Sequence, residues 1–293
     1  MTLPWGELCA VLAAATWSFS VILFKRSEDV GAQGMNLFKN VLAAVLLLVT
    51  VPVLGVELLP ARSPTDWIRI AISGVLGIAL ADSLIFAALR RLGAARLAVV
   101  DTAYAPVMVV LSVVVLDERM TPAFLVGATL VVGGLLATQV ERPRSVGPPA
   151  SSMVGVAFGL IGIVTMGVGV IVVKPVLEKA ELVEVTLMRL LAGVFGQLVW
   201  VAFRPQARKA LAVFRPQPAH RTLVPAAVLG SYIAMLLWLA GFKYTHASVA
   251  SVLNQLSAVF TIVFARLFLG ERLSPRRMMG AALATAGAVL CVV

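Results

Sequence analysis

The sequence predicts an all-α integral membrane protein with ten transmembrane helices, and three observations carry this prediction. Of the 293 residues, 60% are hydrophobic and 13% are charged, whereas soluble domains are about 45–50% apolar and about 25% charged. The mean hydropathy is +1.00. Ten apolar runs follow one another with mostly short connections, and each approaches the length of about 20 residues that crosses a bilayer as a helix. This composition excludes disorder, collagen, a disulfide scaffold and an ordinary cytosolic enzyme.

Charged turns and turns rich in Pro or Gly separate the apolar runs and set the predicted helix boundaries. No Lys or Arg precedes the first run, so we expect a retained span and not a signal peptide. A segment rich in Pro, Gly and Ser follows the fifth run, and an Arg- and Pro-rich connection follows the seventh. The predicted spans are 6–25, 35–55, 68–89, 96–116, 122–140, 152–173, 183–203, 223–243, 248–268 and 275–293.

The two halves of the chain repeat each other. The turn at 117–122 reads Asp-Glu-Arg-Met-Thr-Pro, and the turn at 270–275, 153 residues later, reads Gly-Glu-Arg-Leu-Ser-Pro. The same offset pairs Asp101 with Asn254. The pattern therefore predicts two copies of a five-helix unit.

An odd number of spans in each copy forces the second copy to enter the membrane from the opposite side. This inverted repeat is the plan of secondary transporters, which bind their substrate near the midplane between the repeats. We expect a first repeat at 1–140, a linker at 141–151 and a second repeat at 152–293.

With Glu-Arg-x-x-Pro turns at Glu118 and Glu271 in register in its two halves, the chain resembles, over nearly its whole length, the EamA-type drug/metabolite transporters. The resemblance implies ten helices in two EamA-like repeats and the transport of small molecules. At Lys39 the family more often has Arg, which binds anions as a bidentate fork and not as a point charge. The residues that carry the resemblance are Trp17, Lys25, Lys39, Arg189, the Glu-Arg-x-x-Pro turns at Glu118 and Glu271, and Gly127, Gly133, Gly134, Gly280 and Gly287.

Ionisable residues inside predicted spans are the first candidates for a transport site, because burying charge in a membrane is costly. Asp82 and Asp101 lie within spans three and four, towards the loop that joins them. Lys39, near the start of span two, shares that half of the membrane. One hypothesis pairs one aspartate with Lys39 and has the other exchange a proton during transport. The alternative is a buried ion pair that only holds these spans together.

Spans four and nine present polar faces that could line a cavity. Asp101, Tyr104, Met108 and Ser112 share one helical face of span four. In span nine, Asn254 and Gln255 offer both donors and acceptors to a small polar ligand. For both faces the alternative is ordinary packing or hydrogen bonding between helices.

Four further residues complete the predicted substrate site. Arg189 is placed at the depth of Asn254 and could hold a carboxylate or phosphate. Its alternative role is structural, as a partner of backbone carbonyls or of Glu184. Aromatic side chains within spans can stack on a substrate, and the candidates for this role are Trp17, Tyr232 and Trp238.

These features predict a secondary transporter, an exporter of small polar metabolites such as amino acids, which works by alternating access and is driven by proton coupling or exchange. No nucleotide-binding Gly-rich loop occurs in the sequence. We expect no cofactor, no metal and no nucleic acid, and we expect a small-molecule substrate, contact with membrane lipid, and a monomer or homodimer in the inner membrane. The alternatives are a membrane-embedded enzyme and a channel.

We interpret the net charge of +10 as charge in the connections between spans, which sets the orientation of the helices in the membrane. Connections after odd-numbered spans hold 15 basic residues and those after even-numbered spans hold 6. The positive-inside rule then places both termini outside the cell. The family resemblance implies cytoplasmic termini, so the sequence leaves both orientations open.

Overall fold

The structure is a computed structural model that describes residues 4–27, 30–92, 94–139, 152–269 and 274–292. This part of the chain is helical and contains no β-strand. The α-helices are α1 Trp5–Lys25, α2 Ala32–Val53, α3 Pro64–Gly74, α4 Ala81–Leu92, α5 Ala94–Asp101, α6 Tyr104–Leu116, α7 Pro122–Gln139, α8 Ser152–Lys179, α9 Leu182–Phe203, α10 His220–Ala227, α11 Ala234–Tyr244, α12 Ala247–Asn254, α13 Leu256–Leu269 and α14 Pro275–Leu290. The predicted linker at 141–151 and the turn at 270–273 lie outside the described residues.

Within the described residues, eight helical segments are long and apolar enough to cross a membrane, which confirms the prediction of a multi-pass membrane protein. Predicted spans five and ten correspond to shorter helices. The apolar part of α7 is Pro122–Thr138, and α14 has 16 residues with Arg276 and Arg277 in its first turn. The eight long segments are Trp5–Lys25, Ala32–Val53, Pro64–Leu89, Arg96–Leu116, Met153–Lys179, Leu182–Phe203, His220–Tyr244 and Ala247–Phe268.

Two boundaries differ from the sequence prediction for local reasons. The third span begins at Pro64 and not near residue 68, because the Ser63 hydroxyl accepts from the Asp66 backbone N–H at 3.2 Å and Pro64 takes the first helical position. The sixth span continues to Lys179, past the predicted end at 173. It does so through Pro175, and the residues that follow, Val176 and Leu177, are buried in the core.

Irregular helix geometry recurs at matching positions of the two halves. A π-helical segment, Val75–Leu80, joins α3 to α4, and a second one, Val228–Ile233, joins α10 to α11. The starts of the two segments are 153 residues apart. Spans four and nine are also interrupted at matching places, after Asp101 and after Asn254. Such π turns and broken helices often mark functional sites.

The helices α7 and α14 pack closely through glycines. A Cβ on Gly127 would lie 2.6 Å from the Gly287 carbonyl oxygen, and a Cβ on Gly134 would lie 2.6 Å from that of Gly280. The absence of side chains therefore lets the two backbones approach each other. At Gly133, by contrast, an added Cβ would meet nothing within 4 Å.

Candidate functional site

A cavity of about 410 Å³ lies among the helices where both π segments and both helix breaks meet. Its volume is within the range of roughly 300–1,000 Å³ that is typical of small-molecule sites. It brings together nine of the ten residues predicted from the sequence, namely Trp17, Lys39, Asp82, Asp101, Tyr104, Arg189, Trp238, Asn254 and Gln255. Tyr232 is not among the lining residues, and its hydroxyl lies 2.8 Å from that of Thr50.

The break in span four follows from Pro106 and is supported by Gln255. Proline has no N–H to donate to the carbonyl four residues earlier, which is that of Thr102. The Gln255 side-chain amide donates instead to the carbonyl oxygens of Thr102, at 3.4 Å, and Asp101, at 3.3 Å. A side chain of the second half thus replaces the missing bond in the first half. The break leaves Asp101 at the carboxyl end of α5, on the cavity wall.

Arg189 enters the cavity wall from α9 and is only 1% exposed. Its Nε donates to the Ser73 hydroxyl at 2.7 Å, and its guanidinium carbon lies 5.2 Å from the centre of the Trp238 ring. Glu184, the carboxylate considered as its partner, instead accepts two bonds from Arg62, at 3.3 and 2.7 Å. Arg189 therefore brings a positive charge to the cavity without Glu184 as its counter-ion.

Lys39 and the two aspartates differ in their surroundings. Lys39 Nζ donates to Asn40 Oδ1 at 3.1 Å and lies 6.0 Å from the centre of the Trp17 ring. Lys39 and Arg189 are the cationic neighbours of Asp82, but within the described residues Lys39 and Asp82 do not approach to the 4.0 Å of a direct ion pair. Among the described residues, Asp101 has no cationic neighbour comparable to those of Asp82.

Four buried polar atoms of the described residues lack a hydrogen-bond partner, and all four belong to residues that line this cavity. They are Tyr104 Oη, Arg189 Nη1, Ser231 Oγ and Asn254 Nδ2. An unpaired buried polar group costs about 1–3 kcal/mol, so native proteins rarely retain such groups without a function. Their convergence on one cavity indicates a site for a polar ligand. Ser231 was missed by sequence analysis, because a lone serine in an apolar span carries no specific signal.

The cavity is closed at one end. Along the polar face of span four, Asp101 is exposed, Tyr104 is 8% exposed, and Met108 and Ser112 are fully buried. Exposure along this face therefore falls from Asp101, near the start of span four, to Ser112.

At the closed end of the cavity, Glu118 connects the two halves of the chain by hydrogen bonds. Its carboxylate accepts from the backbone N–H groups of Ala247 at 2.7 Å and Ser248 at 3.1 Å, and from the Ser248 hydroxyl at 2.6 Å. It thereby satisfies the free donors at the first turn of α12. Sequence analysis noted the Glu-Arg-x-x-Pro turn at Glu118 but did not predict this contact, which joins residues about 130 positions apart.

Comparisons with known proteins agree with this architecture. The profile of the EamA-like transporter family matches residues 4–139 and 153–293. A protein of Streptantibioticus cattleyicolor named "Probable terminal-alkyne amino-acid exporter" is 28% identical over 284 residues, which cover 96% of this chain and 91% of that protein. A solved crystal structure is similar with a TM-score of 0.82 over 97% of this chain and 95% of its own, at 18% identity, which supports the fold alone. The family match covers both halves, and the chain therefore belongs to the EamA-like transporter family.

Proposed function

We propose that the protein is a secondary active exporter of small polar metabolites that carry both charges, such as amino acids. One observation carries this proposal: a single cavity holds two cationic and two acidic side chains together with four buried polar atoms without partners. The name of the Streptantibioticus cattleyicolor relative, an amino-acid exporter, supports the same substrate class.

The proposed transport cycle uses ten transmembrane helices arranged as two inverted five-helix repeats, 1–140 and 152–293, joined by the linker 141–151. The two repeats rock about the cavity and open it to one side of the inner membrane at a time. The recurrence of the π segments and helix breaks at an offset of 153 residues supports this symmetry. The Glu118 contact with α12 closes one end, and it would have to separate when that end opens.

The two aspartates are proposed to differ in role. Asp82 has Lys39 and Arg189 as cationic neighbours and contributes to the fixed charge of the cavity wall. Asp101 lacks such a neighbour among the described residues. A carboxylate without a counter-ion in a membrane cavity favours either a proton or a cationic ligand. If a proton and the cationic group of the substrate replace each other at Asp101, substrate movement is coupled to the proton gradient.

Counterflow in proteoliposomes tests the proposed function. Vesicles that contain the purified protein and a high internal concentration of an unlabelled neutral amino acid are expected to accumulate the labelled amino acid transiently. The uptake should saturate, because each cycle carries a bound substrate. Linear uptake that neither saturates nor responds to internal substrate would instead identify a channel. Chemical conversion of the amino acid would identify an enzyme.

A further inference from the structure

The structure assigns a fixed orientation to the substrate: the carboxylate of an α-amino acid binds the four partnerless atoms of Tyr104, Arg189, Ser231 and Asn254, and its ammonium group pairs with Asp101. This inference rests on the proposed function and deepens it. Its consequence is that a free carboxylate is obligatory, so the protein rejects esters and amides of the amino acids that it carries. We call the four atoms the donor cluster.

The chemistry of the donor cluster selects an anionic acceptor. Arg189 Nη1 and Asn254 Nδ2 can only donate hydrogen bonds, and the hydroxyls of Tyr104 and Ser231 can donate as well. A carboxylate only accepts, and its two oxygens offer about four lone-pair sites. The acceptor sites of one carboxylate therefore match the four atoms in number, whereas an ammonium group accepts no hydrogen bond and a neutral amide has one acceptor oxygen.

Of the three guanidinium nitrogens of Arg189, only Nε has a hydrogen-bond partner among the described residues. Its Nε donates to Ser73, and its Nη2 lies against Gly77, where an added Cβ would be only 2.8 Å away. Nη1 and Nη2 are therefore both left to bind an anion. A charge-assisted bond from either nitrogen is expected to strengthen binding at least about tenfold.

The acidic residues argue for a zwitterion and against a phosphate or a simple carboxylic acid. Arg189 and Lys39 balance the charges of Asp82 and Asp101, so the cavity has no excess of positive charge for a dianion. Asp101 stands at the carboxyl end of α5, where the helix dipole adds negative potential. Because no cation of the described residues neighbours Asp101, the substrate ammonium group is its natural counter-ion.

The remaining wall of the cavity suits an apolar substrate side chain. Ala13, Ile85, Met166 and Met235 line it together with the Trp17 ring. Methionine side chains adapt their shape to different apolar groups. The cavity thus combines a polar head-group site with an apolar chamber, which matches a neutral amino acid with a hydrocarbon side chain.

The test compares L-norvaline, its methyl ester and pentanoate as ligands of the purified full-length protein, by thermal shift and by inhibition of counterflow. We expect binding of norvaline, and at least about tenfold weaker binding of the ester and of pentanoate, because each lacks one of the two charged groups. Tyr104→Phe removes only a hydroxyl and is expected to weaken norvaline binding about three- to tenfold while leaving the ester unchanged.

Two further variants keep the test decisive if a substitution perturbs folding. Gly77→Ala should displace the Arg189 side chain and reduce the preference of the protein for norvaline over the ester, whereas Gly133→Ala, where the added Cβ meets nothing within 4 Å, should leave it unchanged. Binding of the ester as tight as that of norvaline would overturn the assigned orientation and leave the transporter proposal standing. If none of the three compounds is bound or exchanged, the amino-acid assignment itself fails.

Discussion

Replacing Asp101 with asparagine is expected to lower amino-acid counterflow at least about tenfold. The variant keeps the size and hydrogen-bonding capacity of the side chain but removes the charge that the proposed cycle offers alternately to a proton and to a substrate ammonium group. Removing one partner of a fully buried charge pair costs about 2–5 kcal/mol in binding, and because Asp101 is exposed to the cavity the expected loss corresponds to the lower part of that range. The measurement is the initial rate of counterflow in proteoliposomes at several pH values.

Asp66→Asn is the matched control for this variant. Asp66 pairs with Arg69 at 3.4 Å on the first turn of α3, where both side chains are partly exposed, and it does not line the cavity. Its replacement should leave counterflow within about twofold of the unmodified rate, because exposed ion pairs contribute little. If Asp101→Asn transports at the normal rate with the same pH dependence as the unmodified protein, Asp101 has no role in coupling.

Replacing Arg62 with alanine is expected to cost about 3–5 kcal/mol of stability, since it leaves the Glu184 carboxylate buried without a counter-ion. The Glu184 side chain is 1% exposed and that of Arg62 is 10% exposed. The pair joins the connection before α3 to α9 and so links the two halves of the chain. Thermal unfolding of the purified protein in detergent measures the loss.

Arg69→Ala removes the same type of side chain from an exposed pair and should cost only about 0–1 kcal/mol. The double replacement of Arg62 and Glu184 by apolar residues should recover much of the loss, because no unpaired charge then remains. Equal melting temperatures for Arg62→Ala and Arg69→Ala would contradict the structural role assigned to the Arg62–Glu184 pair.

The fold was largely predictable because the membrane imposes strong constraints on a sequence. Every backbone polar group within the bilayer must be bonded inside the protein, so long apolar runs become helices. Eight of the predicted spans correspond to described helical segments that are long and apolar enough to cross a membrane. The helices α7 and α14 are harder to recognise as membrane spans, because they are short. Close glycine contacts at Gly127 and Gly134, which hydropathy does not measure, hold them together.

The residues that line the cavity were predicted better than the contacts that these residues make. Charges inside spans are rare and expensive, so Asp82, Asp101, Lys39 and Arg189 were visible as candidates, and all four line one cavity. Their partners depend on how distant helices pack. The pairing of Glu184 with Arg62, which leaves Arg189 available, could not be read from spacing.

Local irregularities of the helices were the hardest features to foresee. In span four the helix is interrupted just before Pro106, whose missing N–H accounts for the break. Nothing in the sequence marked Val75–Leu80 and Val228–Ile233 as π-helical. The first contains only apolar residues and one glycine, and the second adds Ser231 and Tyr232 to a similar composition. Such segments arise when tertiary packing outweighs the local preference for an α-helix.

The central claim is that one cavity binds the substrate and is open to one side of the membrane at a time. Its most direct test is the labelling of Met235→Cys, a cavity position, by a membrane-impermeant thiol reagent, in a protein whose native Cys9 and Cys291 are replaced by alanine. A cysteine replacing the exposed Leu211, outside the cavity, serves as control. We expect that a transported amino acid slows the labelling of Met235→Cys. Reagent on the side to which the cavity is open should reach this position directly, and reagent on the other side should reach it only after the protein has cycled. Labelling of both positions at rates that the amino acid does not change would contradict the account.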